Sequence, residues 1–267
     1  MKVQGKVFIV TGAGSGMGQE LTIQLVSKGA RVAMVDISRE GLSETEKLID
    51  SDVCTKHLLD ITDHDAVMAF KEQVILSHQA VDGLINNAGI IQPFVNVNDL
   101  DSSTISRVMN INFFGMVNMT KALLPHLLTR PVAHIANVSS MGGFIPFPGQ
   151  TVYSASKAAV KLFTEGLYAE LKNSPVGVTV IHPGAVNTHI MVNSGLKTEE
   201  EMAQQEKSSS AKMISAQKAA EIMINGIERN KFRVLVGSDA GLLDKLYRIN
   251  PKFAVNLIVK KMSNLIT

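Results

Sequence analysis

The sequence predicts a three-layer doubly wound α/β fold, in which helices cover both faces of a seven-stranded, mainly parallel sheet. Seven short runs rich in β-branched residues alternate with longer helix-like segments along the 267 residues. Continuous apolar strands are typical of parallel sheets, because right-handed crossovers place helices on both faces. A glycine-rich turn directly follows the first run. We therefore expect one large core with a binding crevice at the carboxyl ends of the strands.

The elements follow in order along the chain. Predicted strands occupy residues 6–10, 31–35, 53–59, 82–86, 132–138, 176–181 and 232–237. Predicted helices occupy residues 17–28, 39–50, 63–78, 103–128, 152–173 and 216–229. No linker rich in proline or glycine interrupts residues 1–237, which we interpret as one domain. The polar run at 197–210 predicts a lid loop over about 189–215, and residues 238–267 form a C-terminal extension with two helices separated at Pro251.

Composition excludes several classes of protein. Cys54 is the single cysteine, and the seven histidines show no metal-ligand spacing, so neither a disulfide scaffold nor a metal site is expected. The apolar run near the N-terminus is too short for a signal peptide, and no apolar run could span a bilayer. A net charge of +2 does not favour nucleic acid. We expect a soluble cytoplasmic protein.

The turn after the first strand predicts a phosphate-binding loop. Glycines let the backbone approach a pyrophosphate, while the N-terminus of the following helix favours the anion. The strict G-x-G-x-x-G pattern is not met, since Met17 occupies the place of its last glycine. A merely glycine-rich strand-to-helix turn is therefore the alternative. The residues expected to bind the cofactor here are Gly12, Ser15, Gly16, Met17 and Gly18.

Asp36 ends the second predicted strand, 18 residues after Gly18. An acid at this distance accepts hydrogen bonds from the ribose hydroxyls and repels a 2′-phosphate, which favours NAD over NADP. Two alternatives stay open. Asp36 could instead cap the helix that follows, and Arg39 nearby could accommodate the phosphate of NADP.

Tyr153 and Lys157 are four residues apart in a predicted helix, so their side chains share one face. Tyrosine, with an ordinary pKa of about 10, is a poor base near neutrality, but a neighbouring ammonium, helped by an oxidised nicotinamide, stabilises its phenolate. The pair therefore predicts an acid/base group. A surface tyrosine–lysine pair without function is the alternative reading.

Together these motifs resemble the short-chain dehydrogenase/reductase family, in its single-domain branch with a Rossmann fold. The matching motifs run from residue 6 to about residue 237 in the family's order. They are TGAGSGMG at 11–18, Asp60, NNAG at 86–89, Asn112 in INFFG, Ser140 in NVSSMGG, YSASK at 153–157 and HPGAVNT at 182–188.

The resemblance implies a role for each catalytic position. Tyr153 exchanges a proton with the substrate oxygen, and Ser140 hydrogen-bonds that oxygen, while Ser139 faces the sheet. Lys157 lowers the pKa of Tyr153 and binds the nicotinamide ribose, and Asn112 holds a water that links Lys157 to solvent. The resemblance also implies that Asp60 and Ile61 contact the adenine and that Asn87, Ala88 and Gly89 line the adenosine ribose. It implies that the segment of Pro183, Gly184, Val186 and Thr188 holds the nicotinamide carboxamide. It implies a homodimer or homotetramer formed through the helices at 103–128 and 152–173.

The segments beside the catalytic residues predict the substrate class. Phe144, Phe147, Met191 and Val192 are expected to line an apolar pocket, and no lysine or arginine in these segments is placed to clamp an anion. A small hydrophobic secondary alcohol or ketone therefore fits best. The alternatives are an NADP-dependent 3-oxoacyl-type reductase and a dinucleotide-sensing protein without turnover.

The extension is basic and amphipathic. Residues 229–267 hold eight lysines or arginines against Asp239 and Asp244. In the last helix, one predicted apolar face comprises Ala254, Leu257, Ile258, Met262 and Leu265, opposite Asn256, Lys260, Ser263 and Asn264. We expect this face to pack against the lid or a partner subunit. Attachment to an anionic membrane surface is the alternative.

Overall fold

Nine strands and ten helices make up the described part of the chain. The computed structural model describes residues 1–49, 51–188, 190–198, 200–201 and 213–262. The strands are β1 Val7–Thr11, β2 Arg31–Asp36, β3 Cys54–Leu58, β4 Gly83–Asn86, β5 Ala133–Val138, β6 Val176–Pro183, β7 Val186–Asn187, β8 Ile214–Ser215 and β9 Arg233–Val236. The helices are α1 Gly16–Ser27, α2 Arg39–Glu46, α3 His64–His78, α4 Ser102–Met109, α5 Met116–Leu128, α6 Thr151–Glu170, α7 Ile190–Asn193, α8 Ala216–Glu228, α9 Ser238–Ile249 and α10 Pro251–Met262.

The main sheet has seven strands in the order β3-β2-β1-β4-β5-β6-β9, and every neighbouring pair is parallel. Alternate residues of each strand enter different cores, which is how one sheet supports two helical layers. Phe8 and Met34 belong to one core, whereas Ile9 and Val35 belong to the other. The strand order reverses between β1 and β4, and a crevice for a ligand opens at such a point. The predicted doubly wound fold is confirmed.

Most element boundaries agree with the prediction to within a few residues, and two differ for a local reason. The predicted helix at 39–50 ends at Glu46. The predicted helix at 103–128 is divided, because a π-helical turn, Asn110–Gly115, separates α4 from α5. Single π turns inside helices are frequent at functional sites, and this one contains Asn112.

The extension folds back onto the domain as two helices, as predicted. Ile145 from the loop after β5 packs with Ala254 and Ile258 of α10. Partly buried residues around this cluster are Phe144, Phe147, Leu243, Leu246, Tyr247 and Met262. The predicted inner positions Ala254, Ile258 and Met262 are thus confirmed, whereas Ser263, Asn264 and Leu265 lie outside the described residues. The extension therefore packs against the loop that follows β5.

Residues 189, 199 and 202–212 of the predicted lid also lie outside the described residues. Its remaining parts form α7 and β8, and β8 pairs with β7. In the described ranges, no helix is long and apolar enough to cross a membrane. The same ranges hold no cluster of His, Cys, Asp and Glu suited to a metal ion.

Candidate active site

The glycine-rich loop joins β1 to α1 at the point where the strand order reverses. Gly12 and Gly16 have φ values of +69° and +54°, which side-chain-bearing residues rarely adopt. A Cβ at Gly18 would collide with the carbonyl oxygen of Gly12. The close approach of α1 to β1 therefore requires glycine at 18, while Met17 packs partly into the core. This explains why the loop tolerates methionine where the strict pattern has glycine.

The residues around this loop fit a dinucleotide. Ser15, the N-cap of α1, makes no side-chain capping bond, and the first N–H groups of a helix lack partners within it. Asn87 and Ala88 both donate their backbone N–H to Thr11 Oγ1, at 3.0 and 3.1 Å. The Oδ1 atom of Asn87 is buried without a hydrogen-bond partner among the described residues. A helix N-terminus and an unsatisfied acceptor thus lie beside the loop.

Asp36 lies at the carboxyl end of β2, beside the glycine loop. Its Oδ2 accepts a hydrogen bond from Gly14 N at 2.8 Å, and its Oδ1 accepts one from Ser38 N at 2.9 Å. The cap of α2 is Ser38, whose hydroxyl accepts from Gly41 N. The alternative in which Asp36 caps this helix is therefore wrong. Arg39 is the first residue of α2 and is exposed.

The predicted adenine contacts are only partly available. Asp60 is exposed, and its Oδ1 accepts bonds from the N–H and hydroxyl of Thr62 at 2.8 and 2.7 Å. The side chain of Ile61 is buried in the core, where it lies against Gly115. Ile61 therefore has only its backbone left for a cofactor.

The predicted carboxamide-binding segment follows β6. Gly184 N donates to Val236 O at 2.8 Å, and Ala185 N donates to Asp239 Oδ2 at 2.7 Å. A side chain at 184 would collide with the carboxylate of Asp239, so this turn needs glycine. Pro183 ends β6 and Val186 begins β7. Thr188 is partly buried at the end of this segment, and His189 lies outside the described residues.

Ser140, Tyr153 and Lys157 come together at the carboxyl end of β5. Ser140 follows the strand, and its hydroxyl lies beside the Tyr153 side chain, since a Cβ at Gly142 would be 3.5 Å from both Ser140 Oγ and Tyr153 Cε1. Lys157 is buried, its Nζ donates to Val138 O at 3.0 Å, and it lies 6.0 Å from the centre of the Tyr153 ring. A serine, a tyrosine and an ammonium therefore converge beside the crevice.

Burial dominates the electrostatics of this group. It raises the pKa of Tyr153 above its ordinary value, and the neighbouring Ser140 hydroxyl opposes this effect only in part. Burial also lowers the pKa of Lys157 to about 8. The expected net lowering of the Tyr153 pKa by Lys157 is thus not produced by the protein groups alone.

Asn112 connects the catalytic helix to the segment after β4. Its Oδ1 accepts from Ile90 N at 2.8 Å, and its Nδ2 donates to Ile90 O at 2.9 Å and Ser156 Oγ at 3.0 Å. A Cβ at Gly89 would lie 3.0 Å from Lys157 Nζ and 3.1 Å from Asn112 Oδ1. Gly89 therefore lies between the two polar groups that the predicted proton relay uses.

A match to a family model described as short chain dehydrogenase covers residues 6–199. The chain belongs to the short-chain dehydrogenase/reductase family. It is 36% identical over 252 residues to the putative oxidoreductase SadH of Mycobacterium tuberculosis, covering 92% of this chain and 91% of that protein.

Solved structures agree with the fold. A short-chain dehydrogenase from Burkholderia phymatum, in complex with NAD, has a TM-score of 0.85 and 23% identity over 95% of this chain and 96% of its own. One from Burkholderia cenocepacia, in complex with NADP, has a TM-score of 0.82 and 26% identity over 97% and 99%. The protein is thus an oxidoreductase that uses a nicotinamide cofactor.

Two residues that sequence reasoning missed hold the candidate catalytic groups of this short-chain dehydrogenase. Gln92 is fully buried, and its Oε1 accepts from the N–H groups of Val152 and Tyr153 at 2.9 and 3.0 Å, so it caps α6 from outside. His182 donates from Nδ1 to the carbonyl oxygen of Ser140 at 2.9 Å. The signal for Gln92 is the absence of a Ser, Thr, Asp or Asn cap before α6. The expectation for Ser139 was wrong, since its hydroxyl donates to Lys157 O on α6.

The predicted substrate residues divide into two groups. Phe144 and Phe147 pack against the extension, and Phe144 meets the ring of His182 edge to face at 5.3 Å. Met191 and Val192 are partly buried on α7. The next residue, Asn193, donates from Nδ2 to Ser15 Oγ at 2.7 Å. Helix α7 therefore contacts the glycine loop.

Proposed function

We propose that the protein transfers a hydride between NAD and a hydrophobic secondary alcohol or ketone, with Tyr153 as the acid/base. The observation that carries this proposal is the convergence of Ser140, Tyr153 and the buried Lys157, whose Nζ lies 6.0 Å from the centre of the Tyr153 ring. A phenol, a hydroxyl and an ammonium at one end of the sheet can bind a substrate oxygen and move its proton.

The chain's own residues would act as follows in alcohol oxidation. Tyr153, as the phenolate, takes the hydroxyl proton of the alcohol, while Ser140 donates a hydrogen bond to the same oxygen. Lys157 is held by Val138 O, and its ammonium favours the phenolate. When bound, an oxidised nicotinamide would supply the acceptor for the hydride of the carbinol carbon, and its positive charge would favour the phenolate. Lys157 would then release a proton to solvent through a water held by Asn112 and take up the proton of Tyr153, which restores the phenolate.

For the cofactor, Gly12, Ser15, Gly16, Met17 and Gly18 would bind the pyrophosphate. Asp36 would bind the adenosine ribose, because its carboxylate lies beside Gly14. Asp60, Ile61 and Asn87 to Gly89 would border the adenosine. Pro183, Gly184, Val186 and Thr188 would hold the carboxamide.

The preference for NAD is tested by titrating NADH and NADPH against the wild type and Asp36→Ser. We expect tighter NADH binding by the wild type and a smaller difference in the variant, since the charge that repels a 2′-phosphate is gone. Glu40→Gln, at an exposed acid in the first turn of α2, is the matched control. A strong wild-type preference for NADPH would contradict the role of Asp36 and favour the 3-oxoacyl-type reductase.

The apolar substrate class is supported by the loop after Ser140. Phe144 and Phe147 contribute aromatic surface, and Arg233, whose guanidinium lies 5.2 Å from the Phe144 ring centre, is already paired with Asp244. This arginine is therefore not available to clamp an anion. Steady-state oxidation of a panel of secondary alcohols tests the proposal, and a clear preference for anionic substrates would refute it.

Tyr153→Phe tests the acid/base role. The variant should keep NADH binding and lose nearly all turnover, because only the hydroxyl is removed. Tyr168→Phe, at an exposed tyrosine, is the matched control. Persistent activity in Tyr153→Phe would exclude the acid/base role. If the wild type bound NADH but turned over no alcohol or ketone, the dinucleotide-sensing alternative would be favoured.

We also propose that residues 1–237 form the catalytic domain and that it assembles as a homodimer or homotetramer through the helices at 103–128 and 152–173. Phe114 and Leu162 are 51% and 68% exposed on these segments, which supports self-association. Light scattering of the wild type and Leu162→Glu measures it, and an unchanged mass in the variant would contradict this interface.

A further inference from the structure

The outward face of the extension carries large apolar side chains among basic ones. Leu242 and Ile249 on α9 are 66% and 83% exposed, and Phe253 on α10 is 55% exposed. Leu242, Lys245 and Ile249 follow at helical spacing, so they share one face of α9. We define the extension surface as the exposed residues Leu242, Lys245, Ile249, Lys252, Phe253 and Val259.

The inward face of the same helices is fixed, so this surface cannot turn inward without loss of packing. Ala254 and Ile258 are buried against Ile145. Asp244 on α9 accepts from both terminal nitrogens of Arg233 on β9, at 2.9 and 2.8 Å. The exposure of the apolar side chains is therefore set by the fold of the extension.

The charge of the extension is also divided between its two faces. Its two acids, Asp239 and Asp244, are engaged by Ala185 N and by Arg233. Lys245 is exposed on the same helical face as Leu242 and Ile249, and Lys252 is exposed directly before Phe253. The outward face is thus both cationic and apolar, which complements a surface of anionic headgroups over acyl chains.

We propose that the extension surface docks on an anionic lipid bilayer and lies in the plane of its interface. Lys245 and Lys252 contact the phosphate headgroups, and Leu242, Ile249 and Phe253 enter the boundary with the acyl chains. Phe144 and Phe147, on the loop after Ser140, pack on the other side of these helices. If the proposed apolar substrate is correct, the docked enzyme holds its substrate loop near a phase in which such alcohols dissolve.

Cosedimentation of the full chain with vesicles tests this docking. The probes are vesicles of phosphatidylcholine alone and of phosphatidylcholine with phosphatidylglycerol. The apolar variant is Ile249→Ser with Phe253→Ser, and the charge variant is Lys245→Gln with Lys252→Gln. Matched controls are Leu76→Ser, at a leucine 83% exposed on α3, and Lys47→Gln with Lys172→Gln, at exposed lysines outside the extension. NADH binding verifies that each variant is folded.

We expect the wild type to bind the anionic vesicles and to release them at high salt. The apolar variant should lose at least about ten-fold in partitioning, and each lysine removed should cost about five-fold on anionic vesicles only. The controls should bind as the wild type does. Absence of wild-type binding, or equal binding by the apolar variant, overturns the proposal. A lower oligomeric mass of the apolar variant in light scattering, with vesicle binding unchanged, would assign the surface to contacts between copies.

Discussion

Asp244 offers the sharpest test of how the extension is attached. Its carboxylate accepts two bonds from Arg233 and lies 3.2 Å from Arg248 Nε, and the side chains of Asp244 and Arg233 are only 11% and 15% exposed. Burial raises the pKa of Asp244, but the hydrogen bonds and charges of the two arginines outweigh it and hold the pKa below its ordinary value. Asp244→Asn would leave the charge of Arg233 buried without its counter-charge.

Breaking a buried pair from one side costs about 3–5 kcal/mol. For a chain of this size, that corresponds to a fall of roughly 10 °C in the melting midpoint. Arg248→Gln is the control, because its side chain is 64% exposed and its pairing should be worth at most about 1 kcal/mol. Equilibrium urea unfolding, followed by circular dichroism and checked for reversibility, measures both variants at one protein concentration. A loss below about 1 kcal/mol for Asp244→Asn would refute the reasoning.

Three further predictions concern the catalytic end of the sheet and the core. Gly18→Ala should abolish NADH binding in titrations, because its Cβ would collide with the Gly12 carbonyl. Gly241→Ala, with open space around its Cβ, should instead stabilise the helix by about 0.5–1 kcal/mol in urea unfolding. If the two variants gave the same NADH affinity and the same stability, the packing argument would be contradicted. His182→Leu should lower kcat about ten-fold with NADH affinity unchanged, because the hydrogen bond to Ser140 O is lost. His182→Asn keeps a donor near the position of Nδ1, so it should recover most of the lost kcat. No recovery would show that the His182 ring matters only for packing. Burial lowers the pKa of His134 to about 3 and of His182 to about 4, so below about pH 6.5 the unfolded chain binds more protons than the folded chain. On acidification from there, the free energy of unfolding should fall by about 1.4 kcal/mol per pH unit per histidine. In His182→Asn this free energy should depend less steeply on pH, and an unchanged dependence would show that His182 is already charged.

The sequence predicted the fold and most of the candidate catalytic residues, because both are marked by local sequence patterns. The spacing of apolar residues predicts the alternation of strands and helices, and right-handed crossovers between strands make the sheet parallel. Tyr153 and Lys157 were predicted from their four-residue spacing, and Ser140 was predicted from the resemblance to the family. The lowering of the Tyr153 pKa by Lys157 together with an oxidised nicotinamide stays a prediction, whereas the raising of this pKa by burial was not foreseen. Burial depends on how much of the chain surrounds the phenol, and a four-residue spacing does not contain that information.

By itself, the sequence identified the protein as a nicotinamide oxidoreductase of the short-chain dehydrogenase/reductase family. Its glycine loop and Tyr153-x-x-x-Lys157 motif located the candidate site. Only the tertiary structure decided what holds that site. Gln92 caps the catalytic helix across 60 residues of chain, and His182 reaches Ser140 across 42. It also decided that the extension packs on the loop of Phe144 and exposes Ile249 and Phe253. Such contacts join residues far apart in sequence, and no local periodicity encodes them, since they arise only when the layers of the fold pack together.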